Sequence, residues 1–139
     1  MAKIIVADDT RFYAATLEDI LTSAGYEVIL AYDGLEALKA VKAELPALDL
    51  LILDLLMPKM TGFEVLREIR KEKDGADLPV IAITGVFKQS SELEHLGKMN
   101  VLGYITKNSS KDEILTKVKE ALEGKKTAEN GLKSKQAGR

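Results

Sequence analysis

The chain has no cysteine and no tryptophan in its 139 residues, a single histidine, His95, and only three prolines. Without cysteine there are no disulfides, no thiolate nucleophile and no cysteine-held metal, in agreement with a reducing compartment. One histidine is too few for a histidine zinc cluster, and it leaves no partner with which to build a histidine-based triad; on a polar helix beside Leu96, His95 reads as structural or surface. The formal net charge of −2 gives no general attraction to nucleic acid or to a membrane surface. No apolar run is long enough to span a bilayer, and the N-terminus lacks the apolar core of a signal peptide. The expectation is a cytoplasmic protein with no membrane partner and no direct contact to nucleic acid.

What remains is an ordinary globular composition, 46% apolar and 30% charged, on a length that suits one domain. Its organising stretch is Leu50-Leu51-Ile52-Leu53-Asp54-Leu55-Leu56-Met57-Pro58. A short apolar run that stops at a carboxylate reads as a parallel strand covered on both faces, with Asp54 where the strand leaves the sheet. A lone aspartate there is ordinarily a turn or capping residue. Its company changes that reading.

Lys3-Ile4-Ile5-Val6-Ala7 is a second such run and ends in Asp8-Asp9. From Thr10 to Ala24, Ala14, Leu17, Ile20, Leu21 and Ala24 recur at helical spacing, and Gly25 is placed to end that helix. Glu27–Ala31 is a strand. Asp33 and Glu36 resemble a capping box opening a helix to Lys42 or Ala43, before Pro46. Thr61 and Glu64 form another, ahead of Val65, Leu66 and Ile69, and the Lys71-Glu72-Lys73-Asp74 charge run reads as a solvated helix end. Pro79–Thr84 and Val101–Thr106 are the fourth and fifth strands, separated by a weaker, polar helix from Lys88 to Met99. Ser110 and Glu113 cap a last helix carrying Ile114, Leu115, Val118, Ala121 and Leu122. Residues 125–139 hold a basic excess with Leu132 as the one large apolar side chain, and are expected to be a disordered tail outside a domain of residues 1–124.

Five strands alternating with five helices predict an α/β fold, a doubly wound parallel sheet covered on both faces. All strands of such a sheet point one way, so Asp8, Asp9, Asp54 and Thr84, with Lys107 just past the fifth strand, converge at one edge. Ligands of open α/β sheets bind at that edge. The acidic pair Asp8-Asp9, the segment from Asp54 to Gly62, Thr84-Gly85 and Tyr104-Ile-Thr-Lys107 together resemble the receiver domain of two-component response regulators, over Ala2 to about Gly124.

The resemblance implies a flavodoxin-like sheet of order 2-1-3-4-5, with Asp54 taking a phosphoryl group from a histidine kinase or phosphotransfer protein. It implies Mg²⁺ held directly by Asp9 and Asp54, through water by Asp8, and by the backbone carbonyl of Leu56. Lys107 would pair with the phosphoryl oxygens, Thr84 would donate its hydroxyl to one of them, and Gly85 would leave room for the group. Tyr104 would be the aromatic that swings inward when Thr84 moves, remodelling the face of helix 4, strand 5 and helix 5 toward a downstream effector protein. The chemistry agrees: a carboxylate is a weak nucleophile that forms an aspartyl-phosphate when the incoming charge is neutralised, and Mg²⁺ favours such oxygen donors. Plainer roles stay open for each: helix capping for Asp8-Asp9, a solvated lysine for Lys107, an ordinary strand end for Thr84 and a half-buried strand tyrosine for Tyr104.

The match has one departure. The family usually carries proline in a cis bond after the lysine, whereas Lys107 is followed by Asn108; a strained cis bond and a trans bond that moves the lysine are both open. In the family, the positions placed to hold a hydrolytic water are two after the acceptor and two after the switch threonine; here they are the apolar Leu56 and Val86, and the resemblance implies that the phosphoryl group is lost slowly. An aspartyl-nucleophile phosphatase would want a carboxylate at Leu56, and a flavodoxin-like electron carrier would not place Asp8-Asp9 against a flavin phosphate. A receiver-like protein-binding adaptor without phosphotransfer is the remaining alternative, disfavoured because every acidic position is intact. The fifteen residues after Gly124 are too few for an output domain, so a stand-alone regulator, itself not an enzyme in the usual sense, is expected.

Overall fold

The alternation of side chains along each strand divides the core into two layers. In a computed structural model, which describes residues 1–85, 94 and 96–138, with side chains through Gly124, the strands are β1 (Lys3–Ala7), β2 (Glu27–Ala31), β3 (Leu50–Asp54), β4 (Val80–Thr84) and β5 (Val101–Thr106). They form one sheet of order β2-β1-β3-β4-β5, every pair parallel, as the doubly wound reading requires. Ile4, Val6, Leu50, Ile52, Ile81 and Ile83 face one layer, under α1 (Arg11–Ser23) and α5 (Lys111–Gly138). Ile5, Ala7, Leu51, Leu53, Val80 and Ala82 face the other, under α2 (Gly34–Glu44), α3 (Gly62–Lys71) and the helical residues 94 and 96–98, here α4. Burying each such aliphatic side chain contributes roughly 1.5–3 kcal/mol before the entropy of ordering it is subtracted.

The helix ends follow the local chemistry. Gly25, at φ +96°, closes α1 as a Schellman motif: its N–H donates to the Thr22 carbonyl, and the Tyr26 N–H donates to that of Leu21. Thr61 and Glu64 complete the expected capping box on α3, each side chain accepting the other's backbone N–H. At α2 only half of the expected box forms, Asp33 accepting the Glu36 N–H at 2.8 Å while its other oxygen pairs with Lys59 at 3.3 Å. Ala24, the last of the residues at helical spacing, is the exposed C-cap of α1 and lies outside the helix proper. The Ser110 hydroxyl accepts the Glu113 N–H at the start of α5, as expected. The backbone of α5 is helical through Gly138, beyond the buried Ala121 and the partly buried Leu122; the segment is rich in lysine, alanine and glutamate, good helix formers, and no proline interrupts it. Most of the polar helix expected from Lys88 to Met99, together with His95 and Val86, lies outside the described residues.

Candidate functional site

The carboxyl ends of β1, β3, β4 and β5 surround a cavity of about 380 Å³ whose walls include Asp9, Asp54, Leu56, Thr84, Gly85 and Lys107. Topology accounts for this. The order β2-β1-β3 puts the end of β1 beside that of β3, and the register pairs Ala7 with Leu53, so Asp8 and Asp54 leave the sheet as neighbours. Gly62 lets the chain return over this edge, since a Cβ there would strike the Asp54 carbonyl oxygen.

Asp8 is fully buried and Asp54 is 8% exposed, while Asp9 is open to solvent. Carboxylate oxygens of the three lie within 4.8 Å of one another. Asp54 accepts the Leu56 N–H at 3.0 Å. Asp8 accepts the Thr10 N–H at 2.8 Å through one oxygen, and its other oxygen is buried with no hydrogen-bond partner among the described residues. Neither member of the acidic pair caps α1, whose N-cap is Thr10, so the capping alternative does not explain them. Burial pushes the Asp54 carboxyl up to about 6; the Leu56 N–H and the Lys107 charge oppose that, while the charges of Asp8 and Asp9 add to it.

Lys107 is exposed along its stem, yet its ammonium donates to the Thr10 hydroxyl at 2.8 Å and lies 3.7 Å from Asp8. The cis bond among the described residues is Leu45–Pro46, so Lys107–Asn108 is trans, and the lysine still reaches the acids. Thr84 is nearly buried and its hydroxyl donates to the Gly85 carbonyl at 3.2 Å. Gly85 has open space where a Cβ would stand. Tyr104 is half-buried on β5 and packs against the α2–α3–α4 layer. Leu56 is 76% exposed on the cavity rim. Asp8, Asp9, Asp54, Leu56, Thr84, Gly85 and Lys107 are thus gathered at one place while Tyr104 lies apart from the cavity, and the phosphatase alternative finds an exposed leucine where it needs a carboxylate.

Sequence reasoning missed Thr10 and Tyr13. Thr10 opens the helix that the sequence predicts, and Tyr13 is not among the spaced residues from which that helix is read. The available signal was a hydroxyl-bearing residue directly after, and an aromatic one turn beyond, an acidic pair.

The family model of the response regulator receiver domain matches residues 4–119. The chain belongs to that family. Receiver domains are the phosphorylation-dependent signalling modules of two-component systems; they bind Mg²⁺ at an acidic pocket and interact with histidine kinases and downstream effectors. This receiver domain is 38% identical over 120 residues to a "Probable transcriptional regulator ycf27" of Porphyridium aerugineum, covering 86% of this chain and 48% of that protein. It is 35% identical over 120 residues to the alkaline phosphatase synthesis transcriptional regulatory protein PhoP of Bacillus subtilis (strain 168), covering 86% and 48%. The chain therefore spans about half the length of these relatives. Among solved structures it is similar to a response regulator receiver domain protein of Clostridium thermocellum, with TM-score 0.82, 27% identity, and 92% and 99% of the two chains covered. It is also similar to the receiver domain of a sensor histidine kinase of Pseudomonas aeruginosa PAO1, solved with a magnesium ion coordinated in its active-site cleft, with TM-score 0.76, 26% identity, and 87% and 97% covered.

The receiver pocket of this chain suits a hard divalent cation. Its donors are all oxygen, its three carboxylates crowd one another, and a buried Asp8 oxygen lacks a partner. Among the described residues no helix is long and apolar enough to cross a membrane.

Proposed function

We propose that Asp54 is the phosphoryl acceptor of this receiver domain, taking the group from a phosphohistidine of a histidine kinase or phosphotransfer protein in a Mg²⁺-dependent reaction. The observation that carries the reading is the position of the Asp54 carboxylate, nearly buried, with two more carboxylates within 4.8 Å and Lys107 across the cavity. Asp9 and Asp54 would hold the cation directly, Asp8 through water, and the Leu56 carbonyl would complete the protein donors. Bound there, Mg²⁺ would neutralise the carboxylates and the phosphoryl oxygens. The Leu56 N–H orients Asp54 by holding one oxygen. The Asp54 carboxylate forms the new P–O bond as the P–N bond to the donor imidazole breaks, and that imidazole leaves with the bonding pair and takes a proton. Lys107 exchanges its contact with Asp8 for the phosphoryl oxygens. Thr84 turns its hydroxyl from the Gly85 carbonyl to another of them, where Gly85 leaves room. Tyr104 follows Thr84 inward, and the α4–β5–α5 face changes toward an effector protein. Residues 1–124 are the domain that does this, with 125–139 a basic tail outside it.

The test is incubation of the chain with acetyl phosphate and Mg²⁺, followed by intact-mass measurement. The native chain should gain one phosphoryl group, and Asp54→Asn should gain none. A native chain that stays unmodified, or an Asp54→Asn chain modified equally, would overturn the assignment.

A further inference from the structure

The turn that carries Lys107 lies on the cavity wall. The exposed lysine is held there by residues at the start of α1. The ammonium donates to Thr10, faces Asp8, and lies 5.5 Å above the ring of Tyr13, within the range of a cation–π attraction. Tyr13 is itself buried in the α1–α5 layer. Its hydroxyl donates to the Thr106 carbonyl, the residue before Lys107, at 3.2 Å. A buried phenol needs such an acceptor, and this one sits at the base of the lysine. The same carbonyl accepts the Ser109 N–H at 3.0 Å, the Ser109 hydroxyl accepts the Thr106 N–H at 2.9 Å, and the Thr106 hydroxyl accepts the Asn108 N–H at 3.2 Å. The turn is therefore closed by its own hydrogen bonds. Among the described residues, Tyr13 is what pins that closed turn to α1 from below.

We propose that Tyr13 is a positioning residue for Lys107: its hydroxyl fixes the Thr106 carbonyl and its ring supports the ammonium, so that the lysine leans over Asp8 and Asp54. The inference rests on the reading of Lys107 as the cation that meets the phosphoryl group. The Tyr13 hydroxyl is spent on the Thr106 carbonyl and feels Asp8 and Asp54 only through their charge, so the proposed role runs through the lysine. A tyrosine that merely filled the core would affect stability and would not separate one ligand from another.

The experiment titrates the full chain with MgCl₂, and then with beryllofluoride, a phosphoryl mimic, in saturating Mg²⁺. Tyr13→Phe keeps the ring and removes the hydroxyl; it should bind Mg²⁺ as the native chain does and beryllofluoride about three- to tenfold more weakly, the scale of one hydrogen bond. In a Lys107→Ala background the same substitution should have no further effect, because the residue it acts through is gone. Leu21→Ala, which opens the same layer at the far end of α1, should lower the melting temperature and leave both affinities in place. Unchanged beryllofluoride binding in Tyr13→Phe, a parallel loss of Mg²⁺ and beryllofluoride, or an undiminished effect without Lys107 would each overturn the role. A native chain that binds neither ligand would instead overturn the reading of the pocket, and Tyr13's role with it.

Discussion

The two sides of the pocket are built in different ways. The acidic side is an extension of the sheet: Asp8 follows β1 and Asp54 ends β3, next to Ile4–Ala7 and Leu50–Leu53, which have essentially no exposure, and each carboxylate is pinned by a backbone N–H two residues on. The cationic side is a long exposed side chain on a surface turn, held by hydroxyls and an aromatic ring rather than by packing. One side is fixed by the core and strained by its own charge; the other is mobile in principle and steered by a few polar contacts. A group that must move when phosphate arrives is better held by the second kind of structure, because such contacts are exchanged at small cost.

Breaking each side separately gives the largest expected effects. Asp9→Ala should lose Mg²⁺ affinity by about tenfold or more, while Lys107→Ala should bind Mg²⁺ at least as well and take up phosphate from acetyl phosphate about a hundredfold more slowly. Calorimetric titration and intact-mass time courses read the two; if both variants fail in both assays, the sides are not separable.

A smaller effect, on stability, follows from the burial of Asp54, to which the neighbouring acids add. The Asp54 carboxyl is pushed from 3.8 up to about 6, so between those values the folded chain holds more protons than the unfolded one. Its contribution to stability is therefore present below about pH 4 and lost as pH rises past 6. Asp54→Asn, which cannot ionise, should gain about 1–2 kcal/mol over the native chain at pH 8 and little at pH 4, after allowance for solvent screening. Urea unfolding in chelator at both pH values measures it, and a gain that does not grow with pH would show that the acids are relieved in some other way.

The smallest effect concerns the rim. Leu56 cannot hydrogen-bond a water, and it stands exposed beside Asp54. Leu56→Asn and Leu56→Glu should shorten the phosphoryl lifetime by about three- to tenfold by aligning one. Equal decay in all three chains would remove Leu56 as a brake.

The acidic side was legible in the sequence and the cationic side only in part, for a physical reason. Ile4–Ala7 and Leu50–Leu53 are β-branched or leucine-rich runs, and a parallel sheet gives their ends one possible place, so Asp8 and Asp54 could be located without coordinates. Thr84 followed from the same logic, whereas Tyr104, inside β5, was named only through the family resemblance. Lys107 could be named but its support could not, because Thr10 and Tyr13 meet it across 97 and 94 residues of chain respectively, through contacts that no periodicity encodes. Arg70 escaped for a similar reason. It sits next to the Lys71–Asp74 charge run and looks like part of a solvated helix end, yet its guanidinium donates to the carbonyls of Gly75, Leu78, Met99 and Asn100.

That last arrangement bears on where this chain tolerates being lengthened. Surface loops of small and polar residues ordinarily accept inserted sequence at low entropic cost, and Asp74-Gly75-Ala76-Asp77 has that composition. Here, however, both the loop before β4 and the corner before β5 are tied to one guanidinium, at the sheet edge opposite the pocket. An insertion between Gly75 and Leu78 would pull apart acceptors that must stay within reach of a single side chain, and would loosen the starts of two strands together.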